Sequence, residues 1–187
     1  MSKLVKVISA GPLIAAPFIV YYLFVDFGYH TAFLTMVVLM LVSRVPFLIR
    51  DSRLWITVFT NVTIIGAYII IGLIFPHILI VKLLPAFINL VLFVIFSYSI
   101  IFPPSVIETI ASAMHEKKFN QHQIDYAIKV TKVWSVFFLL DMLAIVYIAF
   151  YRTMFDWAVF TGGINYIMLG ILFFGEILYR KFYFEPT

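Results

Sequence analysis

Apolar residues along this chain gather into long runs separated by short polar or basic punctuation, and the runs lie at residues 7–25, 31–49, 54–75, 83–102, 133–151 and 157–179. Each is close to the roughly 20 residues that a helix needs to cross a hydrocarbon layer about 30 Å thick. In that medium no water meets an open backbone group, so a spanning segment of this kind closes its hydrogen bonds internally as an α-helix. The pattern predicts an all-α integral membrane protein, a bundle of six transmembrane helices in a single membrane domain. The second run is the most interrupted, since only 13 residues separate His30 from Arg44 and Pro46 follows, and Arg44 is expected to snorkel to the interface. Pro12 and Pro17 each remove a backbone donor from the first run, which predicts a kink there. Its 19 apolar residues behind Lys3 and Lys6 exceed the core of a cleavable signal peptide, so a retained anchor is expected.

The longest stretch outside the runs, residues 103–132, is expected to be a cytoplasmic loop with one short amphipathic helix. Ser105 followed three residues later by Glu108 is a capping box, and Ile107, Ile110, Ala111 and Met114 then share a helical face. A polar turn is expected over residues 115–123, with Lys117 and Lys118 toward anionic lipid headgroups. The helix serves either as a plain link between spans four and five or as a platform for a partner.

Composition removes the alternative to a membrane. Of 187 residues, 64% are hydrophobic and 12% charged, and the mean hydropathy is +1.10. A water-soluble domain is nearer half apolar and a quarter charged. The net charge of +4 does not indicate nucleic acid, because the 13 basic residues are spread between the runs instead of lining one face. With the N-terminus inside, six crossings place eleven of them in the cytoplasm and leave only Lys82 and Arg152 outside. Both termini are therefore expected inside. Trp55, Trp134 and Trp157 each fall near a run end, as interfacial aromatic rings do. The chain has no cysteine, which excludes disulfides, thiol nucleophiles and cysteine metal sites.

The polar groups inside the runs carry what chemistry there is. Asp141 lies near the middle of the fifth run, about 13 Å from either end, where a charged carboxylate without a partner is costly. Burial disfavours its charged form, so it is expected either paired or as the neutral acid. Asn61, Asn89 and Asn165 come within about 6 Å of the same depth and complete a candidate polar layer. Thr57, Asn61, Tyr68 and Gly72 share one face of the third run, which should look into the bundle. The preferred reading is interhelical hydrogen-bond glue, with Asp141 meeting Asn165, because no second acid or base lies at that depth to form a relay; the other is a protonatable transport site. Glu176 and Arg180, one turn apart, form a candidate interfacial ion pair. Gly163 and Gly170 share a face suited to close helix packing. His115, Glu116, His122 and Asp125 read as a polar turn more readily than as metal ligands. No phosphate loop, nucleophile elbow or zinc-protease motif is present, so no catalytic residue, cofactor or metal is assigned.

Three stretches, residues 104–111 (PSVIETIA), 126–138 (YAIKVTKVWSVFF) and 165–180 (NYIMLGILFFGEILYR), resemble a poorly characterised family of small bacterial inner-membrane proteins. In that family the fifth span opens with a basic-Thr-x-x-Trp-x-x-Phe-Phe pattern and the last ends in an acidic residue followed closely by Arg. Lys129, Thr131, Trp134, Phe137, Phe138, Glu176 and Arg180 occupy those places here. The Trp-x-x-Phe-Phe start is also similar to intracellular septation protein A. The resemblance implies association with fatty-acid-like or aryl polyene biosynthesis and export, or with envelope maintenance and division. It implies a non-catalytic accessory or scaffold, with membrane lipids and proteins of a biosynthetic or division complex as partners, and with Lys117, Lys118, Lys129, Thr131 and Trp134 as candidate surface or partner contacts. The rival expectation is a small transporter or lipid-translocating subunit working through the layer around Asp141.

Overall fold

The computed structural model describes residues 3–50, 65–114 and 120–184, with side chains described over 15–41, 65–112 and 120–180. Every described element is helical. In chain order they are α1 (Lys3–Phe27), α2 (Tyr29–Arg50), α3 (Ile65–Ile74), α4 (Ile78–Ile101), α5 (Val106–Met114), α6 (Gln121–Tyr151), α7 (Met154–Val159), a π-helical turn (Phe160–Ile164) and α8 (Asn165–Phe184).

Among the described residues, three helices are long and apolar enough to cross a membrane: Ile78–Ile101, Gln121–Tyr151 and the continuous stretch Met154–Arg180. Shorter apolar helices are described at Ala15–Phe27, Tyr29–Leu41 and Ile65–Ile74. Helix length and composition among the described residues thus support three crossings where the hydropathy runs suggested six; the first half of the third run, Asn61 included, lies outside the described residues. Large apolar side chains on these helices, such as Ile101, Leu73 and Ile171, are two-thirds exposed, as a lipid-facing surface requires.

The chain packs as two compact units. The first comprises Met1–Leu83 and Ile148–Tyr166, the second Leu84–Tyr147 and Ile167–Thr187. In the first, α1 is unbroken through Pro12 and Pro17 and turns into α2 through one residue, Gly28, whose φ of 80° suits glycine. Its amide closes the end of α1 on the Phe24 carbonyl at 2.9 Å. The expected inward face of the third run is seen in its described half. Phe33 of α2 lies on Tyr68, with ring centroids 5.2 Å apart, and Tyr29 donates to the Gly72 carbonyl at 2.8 Å. A Cβ on Gly72 would collide with the Phe33 ring, so the small residue is a packing requirement.

Lys82 and Trp157 depart from expectation. Lys82, counted above among outward-facing basic residues, is 5% exposed, and its ammonium donates to the carbonyls of Ala149 at 3.1 Å and Arg152 at 2.8 Å. Those carbonyls belong to the end of α6, where the last turn has no intrahelical donors and the helix dipole is negative, so a cation serves as its cap. Trp157 does not present its ring on the protein surface. It is fully buried, and its indole N–H donates to the Lys82 carbonyl at 2.9 Å. Pro85, two turns into α4, has no N–H to offer residue 81, so the α4 ladder is already open beside this acceptor. α7 then starts on a second capping box: Thr153 Oγ1 accepts from the Asp156 amide and Asp156 Oδ2 from the Thr153 amide.

The glycines of the last run also sort differently. A Cβ at Gly163 or Gly170 would meet nothing within 4 Å, whereas one at the neighbouring Gly162 would meet Phe18 at 2.6 Å. Close packing falls on Gly162 because the π-helical turn adds a residue and rotates the face that the α-helical period assigns.

Candidate functional site

The site is built on α6, which begins about twelve residues before the hydropathic run that announced it. Asn120 and Gln123 cap each other's backbone amides, Asn120 Oδ1 accepting at 2.9 Å and Gln123 Oε1 at 3.0 Å. This capping box lets a polar turn of helix form ahead of the apolar one. Residues 121–132, expected as turn and loop, are therefore helical, and Trp134 stands well inside a helix instead of at its end. The other expected cap is present: Ser105 Oγ accepts from the Glu108 amide and Glu108 Oε2 from the Ser105 amide, both at 3.3 Å. Ser99 of α4 ties α5 down by accepting from the Val106 amide at 3.1 Å, while Ile110 stays half exposed, as an apolar surface-helix face would.

One face of α6 is a buried seam against α4, carried by Ala127, Thr131, Ser135, Phe138 and Asp141 at spacings of three and four. Asn89 donates to Asp141 Oδ2 at 2.8 Å, Phe96 meets Phe138 edge to face at 5.1 Å, and Ser97 Oγ lies 2.6 Å from Ser135 Oγ. As α4 is followed upward α6 is followed downward, so the two run antiparallel. Asp141 is 1% exposed. The Asn89 amide of α4 is one partner of its carboxylate, and Asn165 heads α8. Thr131, a candidate surface contact, is fully buried, and its hydroxyl donates to the Ala127 carbonyl at 2.7 Å, so it offers nothing to a partner.

A second face of α6 lines a groove with α8. His122, Asp125, Tyr126 and Lys129 recur at i, i+3, i+4 and i+7, and Val130, Val133 and Trp134 continue the same stripe. Ile171, Leu172, Gly175, Glu176 and Tyr179 of α8 form the opposite wall of a cavity of about 720 Å³. That size is ample for a small amphiphile or part of a lipid. The stripe changes character between Lys129 and Val130. Titratable and aromatic groups occupy one end and apolar walls the other, over about 18 Å of helix.

At the polar end Tyr126 donates to Glu176 Oε1 at 3.3 Å, and its ring lies parallel to Tyr179 with centroids 6.0 Å apart. Arg180 Nε reaches the same Oε1 at 3.9 Å, an exposed pair worth well under 1 kcal/mol by itself. Lys129, Trp134, Glu176 and Arg180 thus come together around one groove. Lys117, Lys118, His115 and Glu116 lie outside the described residues. Sequence reasoning assigns His122 and Asp125 to a polar turn and gives Tyr126 and Tyr179 no role; the i, i+3, i+4, i+7 spacing from His122 to Lys129 is the signal that places the first three on one helical face. The described residues hold no group of three or more metal-ligating side chains.

The Asp141–Asn89 pair tells structure from chemistry. Asp141→Asn keeps shape and one hydrogen bond, and should leave thermal stability in detergent nearly unchanged. Asp141→Leu should lower it by about 1 kcal/mol by removing the interhelical acceptor of the Asn89 amide, which keeps only the Pro85 carbonyl of its own helix. A stable Asp141→Asn protein that no longer complements a deletion strain would instead mark a group whose proton is needed.

Against protein-family models, curated proteins and solved structures, the chain has no match in any of the three.

Proposed function

We propose that the chain is a multi-pass protein of a bacterial inner membrane, crossing six times with both termini in the cytoplasm, and that it acts as a non-catalytic accessory holding lipid-like molecules for an envelope biosynthesis, export or division complex. The observation that carries this reading is the groove between α6 and α8. It joins a polar, aromatic mouth to apolar walls, the shape and chemistry of an amphiphile. The polar groups along its mouth fit binding and positioning of such a molecule. The competing transport reading places the work on Asp141, which is packed in the α4–α6 seam and does not line this groove.

Six crossings rest on the hydropathy runs and the charge asymmetry. With Lys82 committed to capping α6, Arg152 is the one remaining basic residue on the proposed outer side, against eleven inside. A reporter active only in the periplasm should work when fused after Gly28, Pro76 or Met154 and stay silent after Arg53, Lys118 or Glu185. The reverse pattern would exclude this topology.

Lipid retention tests the function. Gly175 lines the groove, and a Cβ there meets open space, so Gly175→Trp should fill the cavity without unfolding the helix. Protein purified from native membranes should carry a tightly held phospholipid or related amphiphile, detectable by mass spectrometry after solvent extraction, and Gly175→Trp should lose most of it at unchanged melting temperature. Equal retention by both proteins would count against the groove as the holding site.

A further inference from the structure

The mouth of the groove is balanced in charge instead of basic. Asp125 and Glu176 supply two carboxylates, Lys129 and the adjoining Arg180 two cations, with His122 beside them. A purely anionic headgroup gains no net attraction from such a set, and a purely cationic amphiphile gains none either. A headgroup bearing both signs can satisfy both. The details favour it further. The hydroxyl of Tyr126 and the guanidinium of Arg180 both approach Glu176 Oε1, which leaves Oε2 without a partner among the described residues. The parallel Tyr126 and Tyr179 rings offer aromatic faces next to that oxygen, a favourable surface for an ammonium. Lys129 is exposed on the same face as Tyr126 and has no carboxylate in ion-pair distance among the described residues, so its ammonium is available to a phosphate.

We propose that the mouth recognises a zwitterionic phospholipid headgroup of the ethanolamine type. Its ammonium lies against Glu176 and the tyrosine pair, its phosphate on Lys129, and its acyl chains along Val133, Trp134 and Ile171. The proposal rests on the reading of the groove as a lipid-holding site and adds the class of lipid it selects. The apolar walls commit the site to a membrane lipid over a soluble phosphoamine.

Trp134 reports occupancy directly, because bromine on an acyl chain quenches a neighbouring indole. The full-length protein is placed in nanodiscs containing brominated dioleoyl phosphatidylethanolamine, brominated dioleoyl phosphatidylglycerol, or mixtures with the unbrominated lipids, and the Trp134 signal is the difference between wild type and Trp134→Phe. The ethanolamine lipid should occupy the site about fivefold more favourably than the glycerol lipid, a ratio typical of one partly exposed ion pair. Glu176→Gln should bring the ratio to about one while quenching by the glycerol lipid persists, and Lys129→Met should weaken both lipids alike. Equal occupancy in the wild type, or preference for the glycerol lipid, would overturn the headgroup assignment and leave the lipid-holding function standing. Absence of Trp134 quenching by either lipid would overturn both. The wild-type ratio involves no variant at the polar mouth, so a Glu176→Gln protein that misfolds would not remove the test.

Discussion

A polar side chain on a membrane-embedded helix has one way to avoid a penalty of several kcal/mol, which is to find its partner on another part of the protein. That constraint organises α4 and α6. Asn89 meets Asp141, and Ser97 meets Ser135, while Phe96 and Phe138 supply the apolar contact between them. Each pair alone is worth about 1 kcal/mol or less in a lipid setting. Together they admit one direction and one register, because sliding either helix by a residue would rotate every polar group away from its partner by about 100°.

Once the seam fixes the rotation of α6, the rest of its surface is assigned. The stripe from His122 to Trp134 lies on an adjacent face and forms a groove with α8, polar where the helix extends past its apolar run and apolar within it. The early start on the Asn120–Gln123 cap makes that possible, since a helix beginning at residue 133 would carry no polar mouth. In the other unit the end of α6 is closed by the same logic. Lys82 covers its last carbonyls, and Trp157 in turn holds the Lys82 carbonyl.

What was legible in the sequence followed from local rules. Helical class, the Ser105–Glu108 cap and the need of Asp141 for a partner all depend on composition or on residues three or four apart. What was not legible depended on distant parts of the chain or on a competing local signal. Lys82 looked like a topology marker because its acceptors lie 67 and 70 residues away. Trp157 looked interfacial for the same reason, its partner being 75 residues distant. Hydropathy places the start of α6 at residue 133, whereas the Asn120–Gln123 capping box starts it at 121, and the spacing of Gly163 and Gly170 points to a face that the π-helical turn shifts to Gly162. Depth alone put Asn89 in the layer around Asp141, but depth does not say which of its members presents an amide to the carboxylate.

The antiparallel register of α4 and α6 is the claim on which the groove and its lipid depend, and the absence of native cysteine makes it directly testable. The Ser97 and Ser135 hydroxyl oxygens are 2.6 Å apart, so cysteines at both positions fall within reach of a disulfide. In native membranes treated with a mild oxidant, the Ser97→Cys/Ser135→Cys protein should form an internal cross-link in high yield, seen as a mobility shift reversed by reductant, while Ser97→Cys/Val136→Cys should remain mostly reduced. Efficient cross-linking at 136 with none at 135 would contradict the seam and the placement of the groove built on it.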